Sequence, residues 1–168
     1  LLATYFQTLV DENYDDWIVV SPDLGGVTRA RAFSHLLNLP IAIIEKVRPK
    51  QNVSTVVDII GDIKDKNCII IDDIIDTAGT ITNAANYLKE NGAKEVYITA
   101  THPVFSGSAV QKIEDSAVKK CVVTDSIMLP DEKKTPKIEV ISIAPLLAEA
   151  IQRIYRRQSI SPMFGPRE

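Results

Sequence analysis

Short apolar runs alternate with stretches of helical spacing along the whole chain. Leu1 to Val10 repeats apolar residues at helical intervals, and Trp17-Ile-Val-Val20 is a short continuous apolar run stopped by Ser21-Pro-Asp-Leu-Gly-Gly26. Val27 to Leu37 predicts a helix and Pro40 to Ile44 a strand, while Glu45 to Ser54 is polar and reads as a loop. Further strands are predicted at Val56 to Ile60, Cys68 to Ile71, Glu95 to Ala100, Cys121 to Thr124 and Ile138 to Ile143. Gly61 to Lys66 reads as a turn and Asp131 to Lys137 as a charged linker. Helices are predicted at Thr80 to Glu90, closed by Asn91-Gly92, at Ala109 to Asp115, and at Pro145 to Arg157. The last has an apolar face that includes Leu146, Leu147, Ala150, Ile151 and Ile154. Continuous apolar strands between amphipathic helices imply a doubly wound α/β domain with a mostly parallel sheet buried on both faces. Ligands of such a sheet sit at the C-terminal ends of its strands.

Composition adds limits. A chain of 168 residues suits one domain, and 45% hydrophobic residues exclude a disordered chain. With a net charge of −3 and no long Lys/Arg run, neither a nucleic-acid surface nor an anionic membrane surface is expected. The apolar runs are too short to span a bilayer. Cys68 and Cys121 lie in apolar strand-like runs without a neighbouring Cys or His, so a disulfide or a metal site is not expected there. Buried free thiols fit a cytoplasmic protein. Leu1 to Asp16 lacks the basic head of a signal peptide, and the chain opens without an initiator Met, as if cut from something longer.

The most informative segment is Cys68-Ile-Ile-Ile-Asp-Asp-Ile-Ile-Asp-Thr-Ala-Gly-Thr80. A buried strand runs into Asp72 and Asp73, followed by Asp76 and by small residues at the mouth of a helix. Backbone N–H groups and the hydroxyls of Thr77 and Thr80 can face an anion there. Three carboxylates in the same segment would repel a bare phosphate, which points to a ligand with a phosphate at one end and hydroxyls at the other. A second strand-end turn, Ser21 to Arg29, carries Asp23, Leu24, Gly25 and Gly26 before a helix, so a polyphosphate can approach its backbone closely. Asp23 is a candidate Mg²⁺ ligand. In Glu45-Lys-Val-Arg-Pro-Lys-Gln-Asn52, Lys46 and Arg48 sit two apart, so in an extended segment both cations can reach one group.

The acidic segment resembles the phosphoribosyl-pyrophosphate motif of the type I phosphoribosyltransferases. Its Ala78, where transferases usually carry Gly, resembles the version found in the ribose-phosphate pyrophosphokinase family. The turn at Asp23 to Gly26 resembles that family's pyrophosphate loop, and Lys46-x-Arg48 its flexible catalytic loop. The resemblance runs from about Trp17 to Phe164. It implies transfer of the pyrophosphoryl group of MgATP to the 1-hydroxyl of ribose 5-phosphate, giving phosphoribosyl pyrophosphate and AMP for nucleotide biosynthesis. Asp76, Thr77, Ala78, Gly79 and Thr80 would hold the 5-phosphate. Asp72 and Asp73 would hold the ribose hydroxyls, directly or through Mg²⁺. Asp23, Leu24, Gly25 and Gly26 would hold metal and the moving group, while Lys46 and Arg48 would stabilise the transition state.

The same resemblance implies a C-terminal domain over residues 1–158, a tail over residues 159–168, and a separate N-terminal domain that supplies a metal-binding His. It also implies homo-oligomers, dimers assembling to a hexamer. Ser159 and Ser161 resemble a tail that contributes to an allosteric phosphate or ADP site, although Pro162 stands where the family has an aromatic residue. His102 by itself reads as a positioned structural residue, although its stretch resembles a family segment near the nucleotide at a subunit contact, and His35 reads as a surface or partly packed residue. Two other readings stay open at this point: a phosphoribosyltransferase, and a non-catalytic regulatory homologue.

Overall fold

The computed structural model describes residues 1–10, 13–47 and 56–164 and, of residues 46, 47, 56 and 57, the backbone alone. Arg48 therefore lies outside the described residues. Helix α1 (Leu2–Val10) precedes strand β1 (Trp17–Ser21), helix α2 (Val27–Leu37), and strands β2 (Ile41–Val47), β3 (Val56–Ile60) and β4 (Asn67–Ile75). Helix α3 (Gly79–Glu90), strand β5 (Glu95–Pro103), helix α4 (Ala109–Asp115), strands β6 (Val118–Thr124) and β7 (Ile138–Ile141), and helix α5 (Ala144–Tyr155) complete the domain.

The strands form one sheet in the order β3-β2-β1-β4-β5-β6-β7. All neighbours are parallel except β2 and β3. Successive side chains of a strand face opposite sides of the sheet. Ile18, Val20, Cys68 and Ile70 accordingly enter one core with Ile81, Ala85 and Leu88 of α3. Val19, Ile69 and Ile71 enter the other, with Phe6 and Val10 of α1 and Phe33 and Leu37 of α2. Phe6 is fully buried and meets the rings of Tyr5, Phe33 and Tyr97 edge-on. The fold is thus α/β and doubly wound, as the alternating pattern implies. Among the described residues, no helix is long and apolar enough to cross a membrane.

Three expectations need correction. Strand β2 continues through Glu45, Lys46 and Val47, which read as loop in the sequence. Their backbone is held by antiparallel pairing with Asp58, Val57 and Val56, a partnership that local composition does not encode. Strand β4 extends past Ile71 through both acids to Ile75, because β5 continues beside it and pairs Asp72 with Ala100 and Ile74 with His102. Strand β7 stops at Ile141, and α5 begins one residue earlier than Pro145. The apolar face of α5 is largely uncovered, with Leu147 at 51% and Ile151 at 67% exposure.

The chain turns outward from β1 to β2 on one side and from β4 to β5 on the other. The sheet therefore has its topological switch point between the adjacent parallel strands β1 and β4, where a crevice opens at the strand ends.

Candidate functional site

The loops after β1 and β4 meet at this crevice. Asp23, Asp72, Asp76, Thr77, Ala78, Gly79 and Thr80 line one open cavity of about 230 Å³ together with Ile74, Ile75 and Ile81. Segments some fifty residues apart in sequence are brought together because their strands are neighbours.

In the first loop, Asp23 Oδ1 accepts a hydrogen bond from the backbone N–H of Gly26 at 2.9 Å, and the Ser21 hydroxyl donates to Asp23 O at 2.7 Å. A Cβ at Gly26 would lie 3.0 Å from Ser21 Oγ, so the close turn favours glycine. Leu24 points outward and Gly25 is exposed. Helix α2 then begins without a side-chain cap.

In the second loop, Ala78 takes the left-handed conformation with φ 60° and immediately precedes α3. Its carbonyl accepts from Thr82 N at 3.0 Å and from the Thr82 hydroxyl at 2.8 Å. Thr80 therefore lies inside the first turn instead of capping it, and no side chain caps the helix start. Uncapped N–H groups at a helix start can bind an anion. Behind the loop, Phe105 N donates to Ile75 O and Ser106 N to Asp76 O, each at 3.0 Å. The fully buried Phe105 ring anchors that support.

Two cations reach this region that sequence reasoning left without a role. Arg29, in the first turn of α2, places Nη1 2.5 Å from Asp72 Oδ1 and Nη2 2.7 Å from Asp73 Oδ2. Lys112 of α4 donates to Thr77 O at 3.0 Å. Arg29 stands three residues past Gly26, a faint signal beside a phosphate-type turn; Lys112 has none. The Asp72 carboxyl is pushed above its ordinary value, first by burial and then by the neighbouring Asp73, with Arg29 opposing. Asp73 is held below it: slight burial opposes, but Asp72, Arg29 and backbone N–H groups outweigh that cost. The adjacent acids thus titrate as a pair with separated values.

The other predicted residues do not all join the cavity. Lys46 lies in β2, whose C-terminal end shares the sheet edge of β1 and β4, but its side chain is outside the described set. His102 Nδ1 is 2.9 Å from Ser126 Oγ, and His102 is not among the residues that line the cavity. His35 is exposed. Ser159 and Ser161 lie past α5, where Ser161 N donates to Ser159 Oγ at 3.2 Å. Cys68 and Cys121 are free and buried.

Among the described residues no group of three or more His, Cys, Asp or Glu side chains could hold a metal by itself. Mg²⁺ typically takes one or two protein carboxylates plus substrate phosphates and water. Asp23 and Asp72, facing one cavity, fit that requirement.

The sequence model of the phosphoribosyl synthetase-associated domain matches residues 46–165. The chain is 57% identical over 164 residues to the ribose-phosphate pyrophosphokinase of Oceanobacillus iheyensis, covering 98% of this chain and 51% of that protein. It is 56% identical over 165 residues to the ribose-phosphate pyrophosphokinase of Bacillus subtilis, with the same coverage of 98% and 51%. The crystal structure of phosphoribosylpyrophosphate synthetase from Mycobacterium smegmatis superposes with a TM-score of 0.81 at 38% identity, over 92% of this chain and 51% of that one. The chain spans about half the length of each of these relatives.

Proposed function

The chain belongs to the phosphoribosyl synthetase-associated domain family, and from that premise we propose that it is the ribose 5-phosphate-binding, C-terminal domain of a ribose-phosphate diphosphokinase. The observation that carries the reading is the shared cavity, in which the Asp23 turn faces the loop from Asp72 to Thr80 across the switch point. In the whole protein, the oxygen of the ribose 1-hydroxyl attacks the β-phosphorus of ATP in line. The bond from that phosphorus to the oxygen bridging the α-phosphorus breaks, AMP leaves with that oxygen, and the hydroxyl proton passes to solvent.

Each residue has a proposed role. The amides of Ala78, Gly79 and Thr80 and the hydroxyls of Thr77 and Thr80 hold the 5-phosphate, with Asp76 closing that loop. Asp72 and Asp73 accept hydrogen bonds from the ribose hydroxyls. Asp23, Leu24, Gly25 and Gly26 cradle the pyrophosphoryl group. Lys46, whose backbone lies near the end of β2, and Arg48, two residues on in the sequence, supply positive charge as negative charge spreads over phosphate oxygens. Mg²⁺, when bound by Asp23 and the phosphates with help from Asp72 or Asp73, would neutralise charge on the moving group. The tail serines, Ser159 and Ser161, would belong to a separate regulatory phosphate site. The domain proper covers residues 1–158, and a second domain and further copies complete the enzyme. The uncovered face of α5 is a surface available to them.

Calorimetric titration of this chain with ribose 5-phosphate, with and without Mg²⁺, tests the reading. Saturable binding that Asp76→Ala abolishes is expected, together with little turnover by the chain alone. Equal binding by the variant, or none by the protein of the relatives' full length, would refute it.

A further inference from the structure

Building on that reading, we propose that Arg29 is a positioning residue of the sugar-phosphate site: one guanidinium gathers Asp72 and Asp73, cancels one of their two charges, and lets an acidic strand end accept a phosphorylated sugar. Consecutive residues of a strand point to opposite faces, so the two side chains of Asp72 and Asp73 should diverge. Instead both reach Arg29, each through a different nitrogen. The planar fork of arginine can do this, whereas the single nitrogen of lysine meets one carboxylate well at a time. The clamp takes one oxygen of each carboxylate. Asp72 Oδ1 is fixed further by Asp73 N at 2.9 Å, which sets the orientation of that carboxylate plane.

The location matters as much as the contact. Arg29 belongs to the helix that follows the Asp23 turn, whereas the acids lie in the C-terminal half of β4. The clamp thus ties the two halves of the cavity across the switch point. Without it, two adjacent carboxylates, with Asp76 nearby, would oppose the entry of a phosphate dianion and would repel each other into new rotamers. An ordinary surface ion pair would instead contribute a little stability and nothing to ligand choice.

Two probes separate these roles in metal-free buffer. Inorganic phosphate reads the Ala78–Thr80 amides alone, and ribose 5-phosphate adds the sugar and therefore the acidic pair. The intact chain should bind ribose 5-phosphate at least tenfold more tightly than phosphate. Arg29→Met should reduce that ratio to about twofold or less, and Arg29→Lys should restore part of it, with both variants keeping the intact chain's far-ultraviolet circular dichroism. A ratio unchanged in Arg29→Met overturns the role of Arg29 and leaves the site reading standing. Equal loss of both probes in Arg29→Met and Arg29→Lys also overturns it, because the residue is then merely structural. Binding of neither probe by the intact chain or by the protein of the relatives' full length removes the site reading and this inference with it.

Discussion

Ala78 offers a sharp test of how the loop proposed to hold phosphate is shaped. It is 5% exposed, packs in the core beside Ile75 and Ile81, and holds φ at 60°. Two hydrogen bonds from Thr82 to its carbonyl keep the peptide from rotating away. A left-handed L-residue costs roughly 1–2 kcal/mol. Ala78→Gly removes that cost, but it frees the unfolded chain by about 0.4–1 kcal/mol and deletes a buried methyl worth about 0.8 kcal/mol. The terms nearly cancel, so the glycine variant should lie within about 1 kcal/mol of the parent. Ala78→Val keeps the strained φ, adds a β-branch that tolerates it worse, and overpacks the site by about 1–3 kcal/mol. Its total cost should be roughly 2–4 kcal/mol. At about 2–4 °C per kcal/mol for a chain of this size, thermal unfolding should show valine lowering Tm by roughly 5–15 °C and glycine shifting it by less than about 4 °C. Phosphate affinity should survive in the glycine variant and fall in the valine one. A valine variant with an unchanged Tm, or a glycine variant as damaged as valine, would refute the account of the loop as strained but locked.

Other consequences can be measured on the same protein. Gly61 has φ 122°, and a Cβ there would lie 2.8 Å from Ala42 Cβ and 3.0 Å from Ala42 Cα. Gly61→Ala should therefore cost roughly 3–5 kcal/mol in urea unfolding, from backbone strain plus overpacking. Glu139 accepts from Lys120 at 3.0 Å and Tyr5 at 2.9 Å; Lys120 leads in holding its pKa below the ordinary 4.5, against partial burial. A depressed carboxylate stabilises above its unfolded value and loses that contribution as pH falls through the folded one. Glu139→Gln should thus cost at most about 1 kcal/mol at pH 7, given how exposed the pair is, and the difference should shrink as an acid titration passes below the ordinary 4.5 and vanish once Glu139 is protonated in the folded state. Burial pushes the Cys68 thiol up to about 12 and the Cys121 thiol further. Both should resist a thiol reagent in the native state and react fully in urea; fast native labelling would contradict their burial.

What the sequence disclosed and what it hid have physical reasons. The strands at Trp17, Cys68 and Cys121 were legible because both faces are buried, which demands uninterrupted apolar runs. The helix at Val27 to Leu37 was legible because one side must pack on the sheet while the other meets water. The pairing of Asp23 with the later loop followed from parallel topology, since a switch point brings two strand ends together. The continuation of β4 through Asp72 and Asp73 was hidden, because two acids ordinarily end a strand. Only the long partner β5, with Ile74 opposite His102, keeps it going. The left-handed turn at Ala78 was hidden as well: alanine carries no local signal for positive φ, and the surrounding hydrogen bonds impose it. Arg29 and Lys112 could not be assigned from spacing, because each acts on a residue more than thirty positions away.

On the proposed reading, these hidden contacts decide how an acidic crevice takes a phosphate. Asp23, Asp72 and Asp76 line the cavity and Asp73 adjoins it, while the cations described beside it are Arg29 and Lys112. Among the described side chains the balance is therefore net negative, and these groups by themselves do not draw in a phosphate at long range. The described groups that can supply affinity at short range are the amides of two helix starts that no side chain caps. Such donors lose little when salt rises, unlike a surface of lysines. The carboxylates then have a selective use. A bare phosphate meets the amides but also the repulsion of the acids, whereas a phosphorylated sugar offers the same acids hydroxyls to accept from. The same groups that weaken the wrong ligand strengthen the right one, provided that the acids keep a fixed orientation and a reduced net charge. A guanidinium spanning Asp72 and Asp73 meets both conditions with one side chain.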